Sequence, residues 1–161
     1  MKKPLGLTNI QLSAIGLGTG DFFWNSDLSN SQKIELIRLA VENGINLIDT
    51  AEVYGNGNSE IIVGEATQNI REKVVIASKF TPQHHRREDV LRSCDESLNR
   101  LKSDFIDLYQ IHWPNPAIPL IETIEALIKL HQEGKIRAVG ISNYPLTQIK
   151  EVQEYLGDIP L

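Results

Sequence analysis

The chain has 161 residues, which is enough for one ordinary domain with a buried core. Its 16 basic and 21 acidic residues give a net charge of −5, and this mild acidity argues against nucleic acid or an anionic membrane as the main partner. No apolar stretch reaches the roughly 18 residues that a membrane span needs, and the lone Cys94 excludes an internal disulfide and predicts a reducing, cytoplasmic location.

The chain opens with a predicted hairpin over 3–12, in which apolar and polar residues alternate on either side of the turn-former Asn9. A first strand is predicted over 13–17 and leads into the run Gly18-Thr19-Gly20. The segment 21–30 mixes polar and aromatic residues, so we expect it to be a loop.

From there on, predicted strands alternate with amphipathic helices. Further strands are expected over 45–48, 74–78, 105–111 and 138–141, and residues 159–161 are expected to begin a sixth. Helices are predicted over 31–43, 59–66, 90–101, 120–128 and 146–156 from apolar residues at helical spacing. Strand onsets therefore recur about every 30 residues, the length of one βα unit.

Such a train of βα units could form a doubly wound sheet or a (β/α)8 TIM barrel. The dinucleotide-binding glycine pattern is missing after the first strand, because Asp21 stands where the third glycine is needed. Polar residues follow four successive strands instead, as at the carboxyl-terminal mouth of a barrel. We therefore predict an α/β fold, a barrel. Since a whole barrel takes about 250 residues, residues 1–161 are expected to form an incomplete one, with five of eight βα units and an amino-terminal hairpin.

The polar residues at these strand ends are an acid, an amine and an imidazole. Asp49, Lys79 and His112 each follow a predicted strand, and Tyr54 lies on the glycine-rich loop after the first of them. Each alone has an ordinary explanation, such as a turn cap, a packed surface aromatic or a solvated charge. Together at one mouth they are the parts of a proton-donating site, because an ammonium beside a phenol favours the phenolate.

Other polar and aromatic features are less specific. The run from His84 to Arg87 offers no third ligand at metal spacing, so a solvated loop is expected there and no metal site. Trp24 and Trp113 lie on loops at the predicted mouth. They could be walls of a substrate pocket or simple packing residues.

Short motifs at the strand ends resemble those of the aldo-keto reductase family along essentially the whole chain. They are Gly16-Leu17-Gly18-Thr19, Gly44 through Asp49-Thr50-Ala51, Tyr54-Gly55, Ser59-Glu60, Gly64, Ser78-Lys79, Asp107-Leu108, Gln110, His112-Trp113-Pro114 and Gly140-Ile141-Ser142-Asn143. Any one of these motifs is weak evidence. Their occurrence in order at the expected strand ends carries the resemblance.

The resemblance implies a barrel that binds extended NADPH without a Rossmann motif, and no metal. It implies that Tyr54 is the proton donor, that Asp49 and Lys79 tune it, and that His112 orients the substrate carbonyl. Ser142 and Asn143 would bond to the nicotinamide carboxamide. The full set of implied cofactor-binding residues is Gly18, Thr19, Asp49, Ser142 and Asn143.

The function expected from this resemblance is NADPH-dependent reduction of an aldehyde or ketone to an alcohol in the complete barrel. The partner is then a small carbonyl substrate. The alternative is a truncated or non-catalytic module that senses cofactor or mediates an interaction. In the family, the pyrophosphate and 2′-phosphate contacts come largely from loops after the seventh and eighth strands, which five βα units do not supply. Exposed strand edges would then allow self-association.

Overall fold

The computed structural model of the chain describes residues 2–20, 22 and 27–161. Trp24 lies outside these residues. The described strands are β1 (Lys2–Pro4), β2 (Gln11–Ser13), β3 (Gly16–Gly18), β4 (Leu47–Asp49), β5 (Val75–Phe80), β6 (Ile106–Ile111) and β7 (Ile136–Ile141). The described helices of more than one turn are α1 (Asn30–Glu42), α2 (Asn58–Thr67), α3 (Arg87–Leu101), α4 (Leu120–Gln132) and α5 (Leu146–Leu156).

The amino-terminal hairpin forms where the alternation predicts it. Strands β1 and β2 pair antiparallel, with Lys3 opposite Leu12. Ser13 ends this hairpin and does not begin the first parallel strand, which starts at Gly16. The reason is the Asn46 side chain, whose amide accepts from the Ser13 backbone N–H at 2.6 Å and donates to the Gln11 carbonyl at 2.7 Å. These bonds hold the hairpin against the amino end of β4.

The main sheet has five parallel strands in the order β3-β4-β5-β6-β7. Spatial order thus follows chain order without the reversal that creates the switch point of a doubly wound sheet. Successive helices from α1 to α5 also pack against one another, so they lie side by side along the sheet. The arrangement is that of five consecutive units of a (β/α)8 barrel, which confirms the predicted fold class.

Strand alternation divides the sheet into two faces. On the helix-covered face, Ile48, Ile76 and Tyr109 are fully buried in the main hydrophobic cluster. On the opposite face, which would line the barrel interior, Leu108 and Gln110 are only half-buried. The polar strand-end residues therefore stand on the face that the helices leave open.

The observed element ends lie within three residues of the predicted ones, except that α4 continues four residues further, to Gln132. Asp49 is the last residue of β4, and Lys79 lies inside β5, which continues to Phe80. Residues 159–161 carry no strand; Ile159 and Leu161 pack against the hydrophobic cluster. The turn at Gly157, which has φ of +60°, precedes them. Among the described residues, no helix combines the length and the apolar composition that crossing a membrane requires.

Candidate active site

The sheet register brings three of the predicted site residues onto one face. Asp49 pairs with Ala77, and Lys79 pairs with Gln110 on the neighbouring strand. Since residues two apart in a strand share a face, Asp49 and Lys79 point the same way as Gln110. His112 follows β6 two residues after Gln110. The strand ends thus place an acid, an amine and an imidazole side by side.

The Lys79 ammonium is the centre of this cluster. Its Nζ donates to Asp49 Oδ1 at 2.6 Å and to the Thr50 backbone carbonyl at 2.9 Å. The Lys79 side chain is 7% exposed and that of Asp49 is 36% exposed, so the ion pair is screened by solvent on one side only. Lys79 Nζ also lies 3.4 Å from the Tyr54 hydroxyl. The three groups that the resemblance links are therefore in contact.

Tyr54 reaches this cluster because the chain turns sharply after it. Gly55, Asn56 and Gly57 have φ of 58°, 52° and 85°, three successive left-handed residues that only glycine and, less often, asparagine adopt without much strain. The turn leads into α2 and leaves the Tyr54 ring 5.0 Å from Lys79 Nζ. An ordinary L-residue at 57 would also collide with the Arg100 side chain.

His112 faces Tyr54 across the cluster. The two rings meet edge to face, with their centroids 5.7 Å apart. His112 is 4% exposed; burial, followed by the nearby Lys79 ammonium, lowers its pKa to about 4. The imidazole is therefore neutral at pH 7 and holds one N–H. Its Nδ1 is buried without a hydrogen-bond partner among the described residues.

Ser142 and Asn143 directly follow β7, at the same end of the sheet as the cluster around Lys79. Asn143 adopts φ of 62°, and its Nδ2 donates to the His112 carbonyl at 2.8 Å and to Ser142 Oγ at 3.1 Å. Ser142 N donates to the Ile111 carbonyl at 2.8 Å. The predicted carboxamide-binding pair is thus tied to the backbone of β6 and of the candidate catalytic histidine.

Gly18 and Thr19 lie at the end of β3, at the opposite edge of the sheet from β7, and their surroundings differ. A Cβ at Gly18 would meet nothing within 4 Å, so this strand end borders open space. Thr19 is 0% exposed, and both its backbone N–H and its hydroxyl donate to the Asp49 carbonyl at 2.9 Å. Thr19 therefore fixes the position of the Asp49 backbone through these two hydrogen bonds.

Trp113 stacks on His112, with ring centroids 3.5 Å apart and planes inclined by 17°. It remains 40% exposed, so one tryptophan face is available beside the cluster.

Sequence reasoning missed Glu52, which fixes the loop between Asp49 and Tyr54. Its Oε1 accepts from the Thr81 backbone N–H at 2.6 Å, and it lies 2.9 Å from His84 Nδ1. Glu52 N also donates to the Lys79 carbonyl at 3.1 Å. The side-chain contacts span 29 and 32 residues, and no local pattern marks them. Among the described residues, no group of three histidine, cysteine or acidic side chains could hold a metal ion.

Comparison with known proteins identifies the family. The profile of the Aldo/keto reductase family matches residues 14–161, nearly the whole chain. The chain belongs to the aldo/keto reductase family. A relative from Escherichia coli (strain K12), named NADH-specific methylglyoxal reductase, is 40% identical over 182 aligned positions that cover 96% of this chain and 56% of the relative.

Solved structures of aldo-keto reductases superimpose on the same residues. A thermostable aldo-keto reductase in complex with the inhibitor epalrestat gives a TM-score of 0.91 at 40% identity, covering 100% of this chain and 60% of that one. An aldo-keto reductase from Klebsiella pneumoniae in complex with NADPH gives 0.79 at 39% identity, covering 87% and 49%. The chain spans about half the length of the curated relatives it matches.

Proposed function

We propose that this aldo/keto reductase chain carries the catalytic half of a carbonyl reductase that uses NADPH and in which Tyr54 donates the proton. The observation that carries the proposal is the contact of Lys79 Nζ with both Asp49 Oδ1 and the Tyr54 hydroxyl, at 2.6 and 3.4 Å. Negative charge develops on the oxygen of an aldehyde or ketone during reduction. A phenol, an ammonium and a neutral imidazole grouped together can donate a proton and hydrogen bonds to that oxygen.

The chemistry divides between the cofactor and the chain. A nicotinamide held by Ser142 and Asn143 would supply the hydride that the carbonyl carbon accepts, with the C=O π electrons moving onto oxygen. Tyr54 gives its phenolic proton to that oxygen, and the Lys79 ammonium stabilises the phenolate left behind. Because His112 Nδ1 is buried without a partner, we assign the single imidazole proton to Nε2, which donates to the same oxygen.

The residues at the ends of β3 and β7 fit a nicotinamide ring. The Ser142 hydroxyl accepts from Asn143 Nδ2, which leaves the hydroxyl proton of Ser142 and Oδ1 of Asn143 to bond to a carboxamide. Gly18 presents no side chain at the opposite rim. Support for NADPH comes from the Klebsiella neighbour in complex with it. The Escherichia coli relative is named as NADH-specific, so NADPH preference is part of the proposal.

The substrate class proposed is a small aldehyde or ketone. The name of the methylglyoxal reductase relative supports this class. We further propose that Trp113 forms one wall of the substrate pocket, because it stacks on His112 with part of its surface exposed. The cytoplasmic location suggested by the lone Cys94 stays a prediction.

The test is reduction of methylglyoxal by the complete polypeptide that contains these residues, followed as NADPH oxidation. Tyr54→Phe is expected to lower kcat by about 100-fold or more, because the proton donor is lost. The matched control is Tyr155→Phe, which removes a hydroxyl from a 42% exposed tyrosine on α5. Equal kcat values for the two variants would refute the assignment.

A second candidate is a binding module that senses cofactor or a partner protein without turnover. The observation that favours it is the open inner face of the described five-stranded sheet, where Leu108 and Gln110 are only half-buried. The intact cluster around Lys79 weighs against it, since a module without catalysis has no need of a buried ammonium beside a phenol. Saturable NADPH binding without any carbonyl reduction would select this candidate.

A further inference from the structure

Three buried hydroxyl groups lie directly behind the candidate active site. Thr19, Thr50 and Ser59 are each 0% exposed. The Thr50 hydroxyl donates to Ser59 Oγ at 2.9 Å, and Ser59 Oγ lies 2.6 Å from Thr19 Oγ1. Thr19 Oγ1 donates to the Asp49 backbone carbonyl at 2.9 Å. The three side chains thus form one continuous chain of hydrogen bonds.

The direction of this chain follows from counting protons. Each hydroxyl has a single proton to donate. Thr50 uses its proton on Ser59, and Thr19 uses its own on the Asp49 carbonyl. The bond between Ser59 and Thr19 must therefore be donated by Ser59. The hydroxyl relay runs from Thr50 through Ser59 and Thr19 to the backbone of Asp49, with every proton in use.

Both ends of the hydroxyl relay hold groups that bind the Lys79 ammonium. Asp49 contributes its carboxylate and Thr50 its backbone carbonyl, at 2.6 and 2.9 Å from Nζ. The backbone N–H of Ser59 also donates to the Tyr54 carbonyl at 3.2 Å. Ser59 is consequently bonded both to the end of β4 and to the loop that presents the phenol.

We infer that Ser59 is a positioning residue for carbonyl reduction, which sets the Lys79 ammonium against the Tyr54 phenol. The inference rests on the proposed function. Ser59 acts through Asp49, Thr50 and Tyr54, because its own hydroxyl is bonded to Thr19 and Thr50. Removing this hydroxyl leaves the Thr50 donor without an acceptor in a dry interior, so the residues at the end of β4 must shift. A misplacement of about 1 Å in a catalytic group can cost on the order of 100-fold in rate.

The kinetic test compares Ser59→Ala with Thr67→Val in the complete polypeptide. Thr67 lies on the same helix, is 1% exposed, and donates its hydroxyl to the Val63 carbonyl at 2.8 Å. Ser59→Ala is expected to lower kcat for methylglyoxal by about 10- to 100-fold with KM changed less than about threefold. Thr67→Val should change neither constant by more than about twofold. Equal kcat values for the two variants would overturn the inference.

A spectroscopic test in the 161-residue chain is independent of turnover. With lysine labelled by ¹⁵N, the hydrogen-bonded ammonium of Lys79 should give a proton signal protected from solvent exchange, assigned by its absence in Lys79→Met. We expect this signal in the parent chain and in Thr67→Val, and its loss in Ser59→Ala. An unchanged signal in Ser59→Ala would overturn the inference. Loss of the signal in Ser59→Ala, together with no aldehyde reduction by the parent polypeptide, would support the positioning and reject the proposed function.

Discussion

At the scale of single residues, the candidate site depends on a charge held next to a phenol. Lys79 is almost fully buried, yet its ammonium has a carboxylate and a carbonyl as acceptors, so the charge is compensated. Asp49 and the Thr50 carbonyl accept two of the ammonium protons, which leaves the third directed at Tyr54, the contact on which the proposed reduction depends. A buried lysine with these three partners is difficult to explain as a structural ion pair alone, since the phenol adds nothing to the neutralisation of its charge.

The residue scale also predicts how stability depends on pH. Burial is the first cause that lowers the pKa of both His85 and His112, to about 4, from the ordinary 6.5. A histidine with a lowered folded-state pKa stabilises fully above pH 6.5 and loses its contribution as the pH falls from 6.5 to 4. The free energy of unfolding should therefore fall between pH 7 and pH 4.5, by on the order of 2 kcal/mol per histidine.

Urea unfolding of the chain at pH 7 and pH 4.5 measures this dependence. His85→Gln removes one titrating group and should flatten the pH dependence by about half. The control is His131→Gln, the same substitution at a half-buried residue near the end of α4, and the pH dependence of His85→Gln is compared with it. The same slope in His85→Gln as in the parent chain would show that His85 is protonated alike in the folded and unfolded states.

At the scale of elements, α2 and α3 approach each other closely at Gly64. A Cβ at Gly64 would lie 2.7 Å from the backbone of Arg100 and of Leu101. Backbone cannot move aside as a flexible side chain does, so Gly64→Ala should force the helices apart at a cost of about 1–3 kcal/mol. The gain in helix propensity offsets only about 1 kcal/mol.

The measurement for Gly64→Ala is the urea midpoint of the 161-residue chain. Glu65→Ala is the matched control, because residue 65 is adjacent on the same helix with a half-exposed side chain. We expect a lower midpoint for Gly64→Ala and little change for Glu65→Ala. A higher midpoint for Gly64→Ala would mean that the two helices have room that the structure does not show.

Elements were the level at which the sequence was most informative. The 30-residue recurrence of apolar strands and amphipathic helices predicted the βα order, and strand-end positions predicted where Asp49, Lys79 and His112 meet, because parallel strands share one carboxyl edge. The hydroxyl relay could not be predicted, since Thr19 and Ser59 are 40 residues apart and meet only through strand register and helix rotation. Ser13 was assigned to the wrong strand because its pairing depends on the distant Asn46 side chain.

At the scale of the whole molecule, we expect the open inner face of the sheet to limit the affinity for the proposed cofactor. The terminal strands β3 and β7 each have one neighbour in the described sheet, and half-buried side chains such as Leu108 line the inner face. The relatives are about twice as long. The resemblance assigns the phosphate contacts to loops after the seventh and eighth strands, which residues 1–161 do not supply. We therefore expect the 161-residue chain to bind NADPH at least 100-fold more weakly than the complete polypeptide, a difference of about 2.7 kcal/mol.

Fluorescence titration of both forms with NADPH at one salt concentration measures the difference. The same dissociation constant for the two would show that the phosphate contacts lie within these residues. Sedimentation of the 161-residue chain over a range of concentrations checks whether its strand edges also associate, as the two single-neighbour strands lead us to expect.

The central claim is that the Tyr54 phenol protonates a carbonyl oxygen held among Lys79, His112 and the cofactor. Single-turnover reduction of methylglyoxal by the NADPH-loaded complete polypeptide tests it most directly, because product release does not enter the rate. We predict that Tyr54→Phe slows this step by about 100-fold or more while Tyr155→Phe matches the parent rate. Equal single-turnover rates for Tyr54→Phe and the parent would contradict the account.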